Sequence, residues 1–286
     1  MYSNTRGGGI KVTAKGVNAW DGAIEFKKAE FSQTARQNSA RVVKDLKADV
    51  LCTVEIEGRL ALENFNSTLL NNRYPFQLAI DGNDERGIDV GLLSKLPIRR
   101  IRTHVFDKDA GGRIFSRDCL ELELGLPGGK SLSILCNHFK SQGHGNPTTN
   151  DARRTKQAKR VAEILQGYNL ATDWVVVAGD FNDSLNRPPF TLKPLLTVNN
   201  LHDVLQLQFP NDPSARWTYH FKAFEQIDYI LVSEPMKNAF RKAGVERRGI
   251  FQLGKLTGGA EHEYDTVKSY SDAASDHAGV WAEFGS

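Results

Sequence analysis

The run Trp174-Val175-Val176-Val177-Ala178, followed at once by Gly179-Asp180-Phe181-Asn182, constrains the chain more than any other stretch. An apolar, mostly β-branched run without a polar break reads as a strand buried on both faces, or on one face with its neighbours close. Asp180 follows where that strand ends, so its carboxylate rides on a rigid element at the edge of the core. Asp180 and Asn182 stand two apart, and in an extended segment their side chains point the same way. Together they offer charge, acceptors and an amide donor. Such a pair suits holding a water against a phosphate oxygen. The same residue types also suit an ordinary turn, so the motif needs support from the rest of the chain.

Other segments give that strand its company. Residues 33–47 predict a helix, with Ala40, Val43 and Leu46 on one stripe. Residues 49–55 read as a buried strand that ends in Glu55, and 59–70 as a second helix. Strands are expected at 76–80 and 88–94, joined by a polar turn. Leu120, Leu122 and Leu124 alternate with Glu121 and Glu123; Pro127-Gly128-Gly129 and the run 131–139 complete a hairpin signal. Residues 151–165 predict a helix, while 227–233 and 278–284 predict strands. The segment 192–207 is mixed and suggests no single element. Residues 247–275 read as a long loop, which in a compact domain is usually functional or mobile. Strands alternate with helices, yet the hairpin makes part of the sheet antiparallel. Two packed sheets with helices outside fit this order. No linker or repeat interrupts it, so residues 1–286 are expected to form a single domain, with 1–20 an irregular arm or a divergent first strand.

Composition narrows the class. The chain has 286 residues, 40% hydrophobic and 25% charged, as expected of a globular protein. No run approaches the ~20 apolar residues of a membrane span, and residues 1–9 lack the apolar core of a signal peptide. Cys52, Cys119 and Cys136 each lie in an apolar run; an odd, unclustered set points to reduced, buried thiols rather than disulfides or a zinc site. That favours a cytoplasmic setting, with secretion open if the start is processed. The formal charge of +3 permits a phosphate-rich partner without requiring one.

Five polar clusters fall at strand ends: Glu55; Asn137-His138-Phe139-Lys140-Ser141; Asp180 with Asn182; Asp228 within Gln226-Ile227-Asp228-Tyr229-Ile230; and Asp276-His277. Their order resembles the endonuclease/exonuclease/phosphatase superfamily, with its DNase I-like fold, from residue 49 to 284. The resemblance implies a two-sheet β-sandwich flanked by helices, in four layers α/β/β/α. It also implies divalent-metal-dependent hydrolysis of a phosphodiester. Phosphodiester cleavage needs an aligned nucleophile, neutralised phosphoryl oxygens and help for the leaving oxygen. In that scheme Glu55 and Asp276 resemble the carboxylates of a site for Mg²⁺ or Mn²⁺, with Ca²⁺ a further option. Asp228 resembles the acid that orients His277. His138 would contact a phosphoryl oxygen, and Asp89 is a possible partner for it. Asp180 would orient or deprotonate the water, and Asn182 would bind the phosphate.

The family opens with a strand ending in Asn. Here Asn18 stands nearest the expected spacing, after a poor core strand at 10–17, so either a divergent strand carries it or that strand is absent and a sheet edge stays open. Arg117, Lys140, Arg153 and Arg154 are candidate substrate contacts, although a basic helix face is more often simply solvated. Trp217, Tyr219 and Phe221 suit stacking on a base or, more commonly, core packing. DNA is the expected substrate, cut by an endonuclease, with no obligate protein partner in evidence. A phosphatase or phosphodiesterase on a lipid or small molecule, and a catalytically silent binding protein, are the alternatives, since the fold does not fix the substrate.

Overall fold

The computed structural model describes residues 2–4, 10–12 and 32–285, apart from 85, 144 and 186. Contacts divide the chain into two compact units, 1–32 and 33–286. In the first, Tyr2–Asn4 and Ile10–Val12 pair as an antiparallel hairpin. Asn18 lies outside the described residues, as does most of the expected opening strand.

The second unit is built on a six-stranded sheet. In spatial order its strands are Leu201–Asp203, Asp228–Ser233, Val175–Asp180, Ser131–His138, Cys119–Gly125 and Ile98–Arg102. One neighbouring pair, Ser131–His138 with Val175–Asp180, is parallel; the helix Pro147–Leu165 makes the crossover between them. The opposing layer holds the antiparallel strands Val50–Ile56, Asp89–Ser94 and Phe76–Ile80, and a separate pair, Phe240–Glu246 with Gly279–Phe284. Among the described residues, Val50–Ile56 and Gly279–Phe284 each have one strand partner, so each keeps an unpaired edge.

Strand alternation sorts the core. Leu120, Leu122, Leu124, Ile134, Cys136, Val176 and Ala178 face the opposing layer and pack with Val90 and Leu92 between the sheets. Cys119, Leu135, Val175 and Val177 face outward, where Ala158, Val161 and Leu165 of the long helix cover them. The helices Gln33–Leu46 and Arg59–Leu69 cover the other outer face, packing Ala40 and Leu62 with Leu93 of the strand Asp89–Ser94. This is the layered sandwich expected from the order of segments, and the mixed α/β architecture of DNase I-like proteins.

Two of the longer strands had no sequence signal. Ile98–Arg102 holds three arginines and Phe240–Glu246 holds two cations. Both pair on one side only, and an edge strand with a wet side loses its apolar pattern. The helix expected from 151 begins earlier, at Pro147, because the Asn146 side chain accepts from Thr149 N at 3.2 Å and Pro fits a first turn. The mixed segment 192–207 divides into the turn of helix Lys193–Leu196, the strand Leu201–Asp203 and the start of Val204–Gln208. The long loop 247–275 is anchored rather than loose. Leu253, Tyr264 and Val267 are buried, and the Arg247 guanidinium lies 4.4 Å from the Trp217 ring centre. No described helix is long and apolar enough to cross a membrane.

Candidate active site

Strand register assembles the site. His138 pairs with Asp180 across the parallel strands, and Asp180 pairs with Asp228 across the antiparallel ones. Three titratable residues thus form one row across neighbouring strands, all at strand ends. Gly179 makes the row possible. Its φ is +137°, and a Cβ there would lie 1.8 Å from the Asn137 carbonyl oxygen. Beyond Asp180 the chain turns sharply, with Asn182 at a left-handed φ of +53°.

That turn gives Asn182 a different task from the one expected. Its amide nitrogen donates to Asp180 Oδ2 at 2.6 Å and to the Phe139 carbonyl at 3.2 Å, while its backbone N–H donates to Asp180 Oδ1 at 2.7 Å. One amide proton goes to Asp180 and the other to the Phe139 carbonyl, so neither is left for a phosphate. The extended geometry assumed from sequence does not apply, because the left-handed residue folds the amide back.

His277 arrives from the opposing layer, just before the strand Gly279–Phe284. Its Nδ1 lies 3.0 Å from Asp228 Oδ2, and its ring sits 4.8 Å from that of Tyr219. Burial works against its charge, but Asp228, Asp180 and Asp276 outweigh it and push the imidazole up to about 10. At Asp228 burial, helped by the charge of Asp180, outweighs His277 and raises that carboxyl. Asp180 is also penalised by burial, yet His138 and His277 hold it below its ordinary value. The result is an ionised Asp180 between two histidines.

His138 Nε2 is 3.3 Å from Asp180 Oδ2 and 3.9 Å from Glu55 Oε1. Asp89 is not its partner: that carboxylate turns away and accepts from Gly82 N at 2.7 Å. Glu55 reaches the site through backbone distortion. The pairing of Val50–Ile56 slips between Thr53 and Ile56, and Glu55 itself takes φ +56°. A non-glycine residue held there costs on the order of 1–3 kcal/mol, a strain that collects where a side chain must be aimed.

Asp180, Asp228 and His277 can place one ligand atom each within 4.8 Å of one another. His277 can give a lone pair to an ion only when its imidazole is neutral. The Glu55 side chain is 60% exposed and offers hard oxygens at the open rim, and exposed Asp276 adds charge around His277 and Tyr219. Such donors fit a hard divalent cation that keeps several waters.

The basic candidates divide. Arg117 is almost wholly buried; its Nε sits 3.0 Å from Asp84 Oδ2 and its Nη1 donates to the Phe139 carbonyl at 3.0 Å. Arg154 is equally buried and bonds to Asp183, Asp151 and the Lys140 carbonyl. These two brace the loop after His138 and are closed to substrate. Lys156 and Arg160, further along the same helix, are paired with Asp109 and Asp107. Arg153 and Lys140 are half-buried, and burial, then Arg117, Arg86 and Arg153, hold the Lys140 ammonium below its ordinary value. Arg86 is a neighbour that sequence reasoning missed: it pairs with Asp84 and feels the charge of Glu55. Its only signal was the acid–base run Asp84-Glu85-Arg86 inside what reads as a plain turn. Of the aromatics, Trp217 is core, Phe221 is 70% exposed, and Tyr219 packs on His277.

Comparison with known proteins agrees with this fold. No curated protein matches the chain. Solved structures do, at low identity. TDP2 of Caenorhabditis elegans aligns with a TM-score of 0.60 and 16% identity, over 91% of this chain and 93% of that one. TDP2 of D. rerio, crystallised with a single strand DNA product, gives 0.62 and 16%, over 91% and 94%. The beta toxin of Staphylococcus aureus gives 0.58 and 18%, over 87% and 93%. The sequence profile described as "Endonuclease/Exonuclease/phosphatase family" matches residues 2–277, and the chain belongs to that family.

Proposed function

We propose that the chain is a divalent-metal-dependent phosphodiester hydrolase that cuts DNA, as an endonuclease. The observation that carries this reading is the in-register row His138–Asp180–Asp228, with His277 docked on its end. Asp180 is ionised at neutral pH and held at both oxygens, so it orients the attacking water and accepts its proton. His277 is the imidazolium that Asp228 stabilises; it donates to a phosphoryl oxygen as negative charge builds there. His138 Nε2 stands beside Asp180 and donates to a second phosphoryl oxygen. Glu55 and Asp276 would hold a Mg²⁺ or Mn²⁺ ion. When bound, that ion neutralises phosphoryl charge and eases departure of the leaving oxygen.

DNA is favoured over a small ester by a group of neighbouring cations, with Arg86 near Glu55 and Lys140 near Arg86 and Arg153, and by the DNA product held by a structural neighbour. The test is nicking of supercoiled plasmid with Mg²⁺, Mn²⁺, Ca²⁺ or EDTA, beside hydrolysis of bis(p-nitrophenyl) phosphate. Metal-dependent nicking is expected, with loss of at least ~100-fold in Glu55→Gln. Hydrolysis of the small ester with intact plasmid would overturn the DNA assignment. Wild-type turnover by Glu55→Gln at low Mg²⁺ would remove Glu55 from the site.

A further inference from the structure

Two thiols meet between the sheets directly beneath this site. Cys136 Sγ lies 2.9 Å from Cys52 Sγ, though the residues are 84 apart in sequence. Cys52 is on Val50–Ile56, the strand that carries Glu55; Cys136 is on Ser131–His138, the strand that carries His138. Cys136 and His138 stand two apart and share a strand face. Thus Cys52–Cys136 and Glu55–His138 are successive bridges between the same two strands, at 2.9 and 3.9 Å. We propose that Cys52 and Cys136 are a reversible disulfide pair that ties the Glu55 strand to the His138 strand and so tunes the site above it.

Access supports the assignment. Cys136 is 1% exposed, but Cys52 is only half-buried, on a strand whose far edge is unpaired among the described residues. A small disulfide such as oxidised glutathione therefore meets Cys52 first. The Cys52 thiolate attacks it, forming a mixed disulfide and releasing one glutathione thiolate. The Cys136 thiolate then attacks the Cys52 sulfur and releases the second. Each cysteine gives up one proton and one electron, and one oxidised glutathione becomes two reduced. Cys119 takes no part, because it faces the opposite side of its sheet, in the outer core. A disulfide is about 2.05 Å long, so closure draws the two sulfurs together by about 0.9 Å. A shift of that size, one bridge away from Glu55–His138, is enough to change turnover by at least ~10-fold.

The experiment treats the full chain with oxidised glutathione and reads intact mass, free thiols, linked peptides and the unfolding midpoint. The expected product has lost two hydrogen atoms and keeps one free thiol of three. A peptide joins residues 52 and 136, and the midpoint is higher; dithiothreitol reverses all of this. Cys52→Ser should show none of these changes, and Cys119→Ala should show them all. Three persistent thiols, or a lasting glutathione adduct, overturn the pair. The effect on the site rests on the hydrolase reading and is tested with bis(p-nitrophenyl) phosphate. Equal turnover of the bonded and reduced wild type overturns the coupling. Absence of turnover in both states, with the bond formed, counts against the hydrolase reading and leaves the pair established.

Discussion

At the level of single residues, the site depends on which acid faces which histidine. Asp228 and His277 form one unit, with Nδ1 3.0 Å from Oδ2, whereas His138 faces Asp180. Asp228→Asn removes the charge that keeps His277 protonated, and His277→Ala removes the group itself. Each single variant is expected to be severely impaired, and the double variant little worse than His277→Ala. His138→Ala combined with Asp228→Asn should come closer to multiplying the separate losses. Plasmid cleavage by the single and double variants measures both couplings; multiplied losses for Asp228 and His277 would dissolve the dyad. Asn182 belongs to the same scale, because its side-chain amide and its backbone N–H both donate to Asp180. Asn182→Ala should lower kcat with KM little changed, and a rise in KM alone would return Asn182 to phosphate binding.

The helix Pro147–Leu165 separates two kinds of basic residue on one element. Arg154 is buried against Asp183, which is itself fully buried. Removing one member of such a pair strands the other, at about 3–5 kcal/mol. Arg154→Met should therefore shift urea unfolding by that order, before any effect on DNA is considered. Arg153 is half-buried, and its Nε has no hydrogen-bond partner. Arg153→Ala should leave stability within about 0.5 kcal/mol and flatten the dependence of DNA binding on log salt by roughly one unit. An unchanged slope would make this helix face merely solvated. Strand pairing has its own weak point at Gly179, where any side chain strikes the Asn137 backbone. Gly179→Ala is expected to be among the most damaging small substitutions, at more than ~4 kcal/mol, because backbone rather than a flexible side chain must yield.

At the scale of the whole molecule, a buried ion network fastens the outer face of the six-stranded sheet to the loops and helix around it. His104 Nε2 is 2.9 Å from Glu121 Oε2 and its Nδ1 is 3.0 Å from Asp107 Oδ2; Tyr168 donates to Glu121, and Arg160 to Asp107. The acidic face of the Cys119–Gly125 strand, which alternation alone would send to water, is therefore partly enclosed. Burial opposes the charge on His104, but Glu121 and Asp107 prevail and raise its pKa above the ordinary value. A raised folded-state pKa stabilises the protein fully below the unfolded value near 6.5, and that contribution fades as pH rises through the folded one. The stability margin of wild type over His104→Gln should thus be larger at pH 6 than at pH 9, read from urea midpoints. A margin that holds constant or grows with pH would show that His104 is not charged in the fold.

The sequence by itself determined the strands whose two faces are both covered, the long helices, and the order of the chemical motifs. These are local properties: a buried strand needs an unbroken apolar run, a helix needs a stripe, and a strand-end acid follows its strand in the chain. Glu55, His138, Asp180, Asp228 and His277 stood out near strand ends for that reason, and the family resemblance supplied their expected roles. Only the tertiary structure decided how they pair. Register set His138 against Asp180 and sent Asp89 to Gly82. A left-handed turn folded Asn182 onto Asp180. Burial turned Arg117 and Arg154 from substrate contacts into braces, and brought Cys52 against Cys136 across the sheets. The edge strands Ile98–Arg102 and Phe240–Glu246 escaped notice because their exposed side carries charge instead of pattern. Pairing, burial and electrostatic field depend on residues distant in the chain, and no local window contains them.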